Sequence, residues 1–456
     1  MRPLALPMLP RPALPRFVTP AGLVVLGSLP FGVLAGWLAV RGHGLELAVA
    51  LPVLIAGAWL LTTPYGSAVA AAPLLAVPVR VMPNAPTFPH LDPKLTWALI
   101  GAGATFVFWF YGARRRSLSW WALAAVTVVS LAAFLLGQAY GVRKQDSLYI
   151  IVTAATGLAL GSTLLDARAR RGVVVLGAAL ALVALGESLG LPNPWISVLG
   201  ANRYQGLTNV EGAGRAVSSF GHPLIAGACL MMMGMLALSL RGRGSGVLAF
   251  LLIVGSVATV SRSGLIGGVI GLIAFAGLSR TGERGRALLI VAGLALAVTV
   301  ALAFVPSVRS SFNERVGGAK DTESQAVRIN TINIVEGDFR DRPGRLALGQ
   351  GIGSGGRYLV ARGGNAKGYT IFDNQYATSL YDVGAIVLVA FALLVVLAVA
   401  DGTAAGRLAG LPMLAVGVVV LAFVDGLYWP PLVLLLWAAI GVASTGGAAA
   451  DAERHA

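Results

Sequence analysis

About fourteen apolar runs, each near the ~20 residues needed to cross a bilayer, divide this chain of 456 residues. Their cores lie near 21–40, 45–62, 65–80, 96–112, 118–137, 147–164, 172–189, 223–240, 245–260, 263–279, 287–306, 379–400, 408–425 and 429–444. The third is short and broken by proline, and almost nothing separates the ninth from the tenth, which sets the range at 12–14 spans. Charged residues make up 12% of the chain and hydrophobic ones 57%. A soluble domain is about one quarter charged, so this chain has too few charges to cover a water-facing surface. The 59 glycines suit helices that approach closely in a membrane. These features predict an all-α fold, a polytopic transmembrane helical bundle with one large, partly helical extracytoplasmic loop.

The net charge of +15 is read as topology rather than as nucleic-acid binding, because cytoplasmic loops collect Lys and Arg. Met1 to Pro20 carries Arg2, Arg11 and Arg16 ahead of the first run and resembles a retained signal anchor. With that end inside, the short inner loops hold Arg114–Arg116, Arg168, Arg170, Arg171, Arg241, Arg243, Arg280, Arg284, Arg286 and Arg407. The even span count returns the last segment to the cytoplasm. Two long outer segments remain, about 190–222 and 307–378. In the second, Glu323 to Phe339 reads as an amphipathic helix with Thr322 or Ser324 as N-cap, ended by Pro343 and Gly344. The chain divides into N-terminal membrane helices (1–200), a central part with the long loop (201–400), and C-terminal helices with a short tail (401–456). Cys229 stands alone and allows no internal disulfide.

The outer segments carry arginines that topology does not require: Arg203, Arg215, Arg262 and, in the long loop, Arg309, Arg315, Arg328, Arg340, Arg342, Arg345, Arg357 and Arg362. Solvated charges or contacts with anionic headgroups account for some of them. As a group they suggest an anionic substrate, since guanidinium binds phosphate through a planar fork. Ser261-Arg262-Ser263-Gly264 puts an arginine at the turn of a tight hairpin. It reads either as a snorkelling side chain or as a charge aimed between helices. Phe220-Gly221-His222-Pro223 ends the first outer segment, with His222 as a cap or as a group for substrate hydrogen bonding or proton transfer. Phe372-Asp373-Asn374-Gln375-Tyr376 precedes the twelfth run, with Asp373 as a helix cap or as a general base for a sugar hydroxyl. Gly349 to Gly356 fits a dinucleotide pattern but lacks a βαβ unit, so it reads as a turn that lets backbone approach a ligand or a helix. No metal site is expected, and Asp338 and Asp341 read as loop charges.

In order and placement these pieces resemble the O-antigen ligase and Wzy polymerase superfamily of bacterial envelope glycan enzymes. The matching run comprises Arg203, Arg215, Phe-Gly-His-Pro (220–223), Ser-Arg-Ser-Gly (261–264), Arg328, Arg-Pro (342–343), Gly-Gln-Gly-Ile-Gly (349–353) and Asp-Asn-Gln-Tyr (373–376), roughly 200–400 in all. The resemblance implies an inverting, metal-independent glycosyltransferase without a cofactor, at the outer face of the plasma membrane. It would move glycan from an undecaprenyl-diphosphate carrier to a glycan or lipid-linked acceptor. Carried over by position, Arg262 and Arg328 would hold the diphosphate, with Arg203 or Arg215 assisting. Asp373 would act as base, where ligases of the family usually carry His; this departure tilts the reading toward a polymerase or exopolysaccharide role. His222, Asn374 and Tyr376 are further substrate-binding candidates. Expected partners are the lipid-linked glycan, membrane lipids, and a flippase or chain-length regulator.

Two other classes compete. A lipid-linked oligosaccharide flippase or polysaccharide transporter would show repeated halves and broken midplane helices, and neither is evident in the sequence. An enzyme using a polyprenyl-monophosphate sugar would carry an acidic pair in its first outer loop, whereas Arg41 to Glu46 holds one acid.

Overall fold

The structure, a computed structural model, describes residues 66–76, 100–105, 107–109, 118–139, 144–194, 216–242, 244–279, 285, 323–361, 372–426 and 429–445. Within them the chain forms α1 (Gly66–Ala76), α2 (Trp120–Ala139), α3 (Lys144–Thr163), α4 (Ala167–Ser188), α5 (Pro223–Leu238), α6 (Ser245–Ala258) and α7 (Arg262–Leu278). Next come α8 (Glu323–Asp341), α9 (Pro343–Leu348), α10 (Ser354–Ala361), α11 (Gln375–Asp382), α12 (Gly384–Asp401), α13 (Ala404–Leu421) and α14 (Pro430–Ala443). An isolated bridge from Leu118 to Thr445 is the extended pairing among the described residues. The all-helical expectation holds.

Short polar residues start these helices. Asp166 accepts from Arg168 N and Ala169 N ahead of α4, and Thr403 accepts from Gly406 N ahead of α13. Each thereby serves backbone donors that the first helical turn leaves without a partner. Proline at the first positions of α5 and α14 sacrifices an N–H that has no partner in the helix anyway.

Glycine seams hold the bundle together. A Cβ on Gly161 of α3 would strike the Ala438 carbonyl and the Gly441 Cα of α14, and one on Gly157 would strike Trp437 and Leu434. Gly267 and Gly271 seat α7 on Val416 and Pro412 of α13, while Gly264 meets the backbone at Gly227 of α5. Backbones approach this closely only where side chains are absent. All of α14 is buried, as is nearly all of α5. Their uniform apolarity therefore faces protein on every side.

Among the described residues three helices are long and apolar enough to cross a membrane: α4, α12 and α13. The apolar stretches described in the other helices are shorter, at 10–17 residues. The expectation of fourteen spans is thus met only in part, and the runs at 21–40, 45–62 and 287–306 fall outside the described residues. Turns and glycine or proline positions set where individual helices begin and end. Pro73 lies inside the eleven residues of α1, and Val260 with φ 50° separates α6 from α7. The twelfth run, read as 379–400, starts at Gly384, where φ 83° and the nearby Ala347 carbonyl exclude any Cβ.

The contacts sort the helix termini into two ends. At one, Arg170 donates to Ser239, Ser119 Oγ donates to Asp401, and Thr403 N donates to Thr445 O. Arg168, Arg171, Arg241 and Arg407 belong to the same end, at the start of α4, just after α5 and at the start of α13. At the other end lie the starts of α5, α7 and α14 and the finishes of α4, α6 and α13.

Helices α8 to α11 form a small module beside the start of α12. Leu346, Leu359, Phe372 and Tyr381 are its buried core. The Tyr381 ring stacks on Tyr358 and on Phe372, each at 5.0 Å between centroids. The helix expected over 323–339 runs to Asp341; Ser324 lies inside it rather than at its cap, and Pro343 opens the next helix as it closes this one. Thr322 lies outside the described residues. Asp338, read from sequence as a loop charge, is instead 2% exposed and accepts from Tyr381 Oη at 2.7 Å. The hydroxyl opposite it helps offset the cost of burying this carboxylate.

Candidate functional site

The Asp-Asn-Gln-Tyr stretch divides its roles residue by residue. Asn374, not Asp373, caps α11: its Oδ1 accepts from Tyr376 N at 3.0 Å and from Ala377 N at 3.2 Å. Asp373 lies just before the cap with φ 51° and is partly buried. Asp tolerates this left-handed region better than most residues, yet holding it there needs support from its surroundings. That support includes Thr331, whose Oγ1 donates to Phe372 O at 3.1 Å. Thr331 lies one helical turn beyond Arg328, on the same side of α8. The turn of α8 that carries Arg328 is therefore fastened to the residue before Asp373. The Arg328 side chain, Arg203 and Arg215 lie outside what is described.

Tyr376 reaches across to the bundle. Its Oη donates at 2.7 Å to Val418 O near the end of α13, where Ala422 N has turned to Val419 O instead. The phenol thus satisfies a carbonyl that the helix end would leave open. Burial raises the phenol pKa. With the hydroxyl engaged, Tyr376 presents its ring, 43% exposed.

The Ser-Arg-Ser-Gly turn opens α7. Ser261 Oγ accepts from Gly264 N and lies 3.2 Å from Ser263 Oγ. Arg262 is exposed and shares its side of the helix with Ile266, Val269 and Ile273, while Ser263, Gly264 and Gly267 face the bundle. Since α7 packs on α13 through Gly267 and Gly271, Arg262 and Tyr376 stand at the same end of α13.

His222 caps α5, its Nδ1 accepting from Leu224 N at 3.2 Å. Its ring lies 5.5 Å from that of Trp429, tilted by 51°. The segment before it is fixed by Glu187 at the end of α4, whose Oε2 accepts from Val217 N at 3.0 Å and Ser218 N at 2.6 Å. Asn193 donates to Glu187 Oε1 and to Ser218 O, and Ser218 Oγ donates to Leu180 O. Gly227 packs against Thr259 and Ser261, which ties the His222 helix to the Arg262 turn. Sequence reasoning missed Trp429 and Glu187. A ring directly before Pro430 at a helix start, in the same pattern as His222-Pro223, was the signal for the first. Nothing local announced the second.

The glycine-rich turn packs against the start of α12. Gly349, with φ 72°, sits against the Val383 backbone, and Gln350 N and Gly351 N donate to Tyr381 O and Asp382 O. Asp382 accepts from Gly353 N at 3.0 Å, Gly355 N at 3.2 Å and Ser354 Oγ at 3.1 Å. Burial raises its pKa, against the lowering effect of those donors. Among the described residues, no three His, Cys, Asp or Glu side chains gather where they could hold a metal ion.

Residues 247–392 match the O-antigen ligase family (Wzy_C), a stretch from α6 to the middle of α12 and about one third of the chain. The stretch contains Arg262, Arg328, Asp373, Asn374 and Tyr376, and it supports the O-antigen ligase and Wzy superfamily. Together with the apolar helices it marks a membrane protein with a glycosyl-transferring character. No curated protein matches the chain.

Proposed function

We propose that this protein polymerises or ligates glycan from an undecaprenyl-diphosphate donor at the outer face of the bacterial plasma membrane, without metal and with inversion. The observation that carries the reading is the bond from Thr331 to Phe372, which holds the Arg328 turn of α8 against the segment of Asp373. An acceptor hydroxyl oxygen attacks the anomeric carbon as the bond from that carbon to the diphosphate oxygen breaks. The bonding electron pair leaves with the diphosphate, and the hydroxyl proton passes to Asp373. Arg262 and Arg328, with Arg203 or Arg215, stabilise the departing charge. Arg262 above an outward apolar stripe of Ile266, Val269 and Ile273 suits a headgroup of two phosphates on an isoprenoid tail. The separation of Arg168, Arg170, Arg171, Arg241 and Arg407 from this end fits a cytoplasmic opposite face. A flippase or chain-length regulator would act beside it.

The test is polymer length in a deletion strain complemented with Arg262→Ala, Arg328→Ala or Asp373→Asn. Loss of polymer with single repeats accumulating outside supports the reading. Wild-type polymer from the arginine variants defeats it, and repeats trapped inside the cell would point to a flippase.

A further inference from the structure

We propose that Leu348, the last residue of α9, inserts into phospholipid at the level where α12 enters the membrane, so that the α8–α11 module lies on the bilayer rather than above it in water. This goes beyond glycan transfer and rests instead on α12 and α13 as membrane spans.

The depth follows from the length of α12. Its 18 residues are apolar up to Asp401 and rise about 27 Å in all. A hydrocarbon core is ~30 Å thick, so the helix has no length to spare and Gly384, its first residue, sits at the boundary. The opposite end is marked from the protein side. Asp401 accepts from Ser119 Oγ, and Trp120, next in sequence, is 82% exposed, as an indole of the aromatic belt at a membrane–water boundary would be.

Backbone contact holds the end of α9 at the Gly384 level. A Cβ on Gly384 would fall 2.5 Å from the Ala347 carbonyl oxygen and from the Leu348 carbonyl carbon. The Leu348 side chain is 66% exposed. That is as open as Ile386, Val389, Leu393 and Val396, the stripe that α12 turns away from the protein, at 59–64%. At this depth an open leucine meets the acyl and glycerol region of the lipid, where its apolar surface leaves water.

Tyr376 repeats the arrangement on α13, a second span of 18 residues. Its Oη donates to Val418 O, one turn before the helix ends, while its ring and the Val418 side chain both stay open. An engaged hydroxyl and an open ring suit the interfacial belt. Asp373 and Asn374, just before Tyr376, are thereby carried at the depth of lipid phosphates.

A nitroxide at Leu348→Cys, in a Cys229→Ala background and in nanodiscs of phosphatidylethanolamine and phosphatidylglycerol, tests the placement. Oxygen gathers in lipid and a nickel chelate stays in water, so the two reagents report where the label sits. Ile386→Cys on the open stripe of α12 calibrates lipid, and Glu336→Cys, an exposed charge of α8 paired with Arg340, calibrates water. Leu348 should respond as Ile386 does, with oxygen the more effective reagent. As a second measurement, Leu348→Glu should speed amide exchange in α9 by about fivefold in nanodiscs, the equilibrium weight of half-burying one leucine, and leave α14 unchanged.

A response like that of Glu336 would overturn the proposal. So would low access to both reagents, which would mean that protein covers the leucine, or wild-type exchange in α9 of Leu348→Glu. A water-like response at Ile386 would remove the span on which the placement rests. All of these readings are taken without glycan, so they stand whether or not the protein makes polymer.

Discussion

Tyr381 donates its phenolic proton to Asp338 at 2.7 Å, and this buried bond joins α8 to α11 through the centre of the small helical module. Tyr381→Phe removes the donor while keeping the ring stack on Tyr358 and Phe372. Leaving a buried carboxylate short of a donor costs roughly 1–3 kcal/mol. Amide hydrogen exchange should speed up in α8 and α11 and stay unchanged in α14. Equal protection in the variant would show that the bond contributes nothing.

Acid should stabilise the same module over a narrow range. Burial raises the Asp382 pKa above its unfolded value, so the folded state binds its proton at higher pH than the unfolded chain does. The stabilisation is complete below the unfolded carboxylate pKa and is lost as pH rises through the folded one. Proteolytic resistance of the 323–382 region, measured as pH is lowered toward the usual carboxylate range, should increase in the wild type and much less in Asp382→Asn. A response of the same size in both would assign it to other groups.

Gly161→Val should damage the bundle more than the loss of any single hydrogen bond. Its Cβ alone would collide with the Ala438 carbonyl, which a backbone seam cannot relieve by rotating a side chain. The expected result is loss of folded protein in detergent extracts, checked by size-exclusion profile. Gly103→Ala, with nothing near the added carbon, serves as the control.

Glu187→Ala would leave Val217 N and Ser218 N facing a void, at roughly 1–3 kcal/mol for each unpaired donor. Because Ser218 lies four residues before His222, polymer synthesis should drop together with the unfolding temperature. Glu187→Gln, which keeps an oxygen for the two backbone donors, should fall between alanine and wild type in both measurements.

Much of the helical framework was legible because it follows from local rules. Apolar runs gave α4, α12 and α13, and proline and serine marked the starts of α5, α7 and α14. What stayed hidden came from side chains meeting partners distant in sequence. Asp338 looked like a solvated charge because nothing near it in sequence reveals Tyr381, and Glu187 gave no sign of Ser218. Asp373 and Asn374 show the limit within one motif. Both residue types cap helices, and only the backbone turn decides that Asn374 takes the cap while Asp373 is held in the left-handed region before it.

The glycine seam between α3 and α14 also dictates an order of events during synthesis. The ribosome finishes α3 long before α14 exists, and α14 then arrives to be buried along its whole length. Until it does, Gly157 and Gly161 line an unfilled slot, and α5 and α13 lack a neighbour they both touch. The bundle is therefore completed only once α14 is made, rather than helix by helix, and the newborn chain must keep that slot from being occupied by the wrong helix.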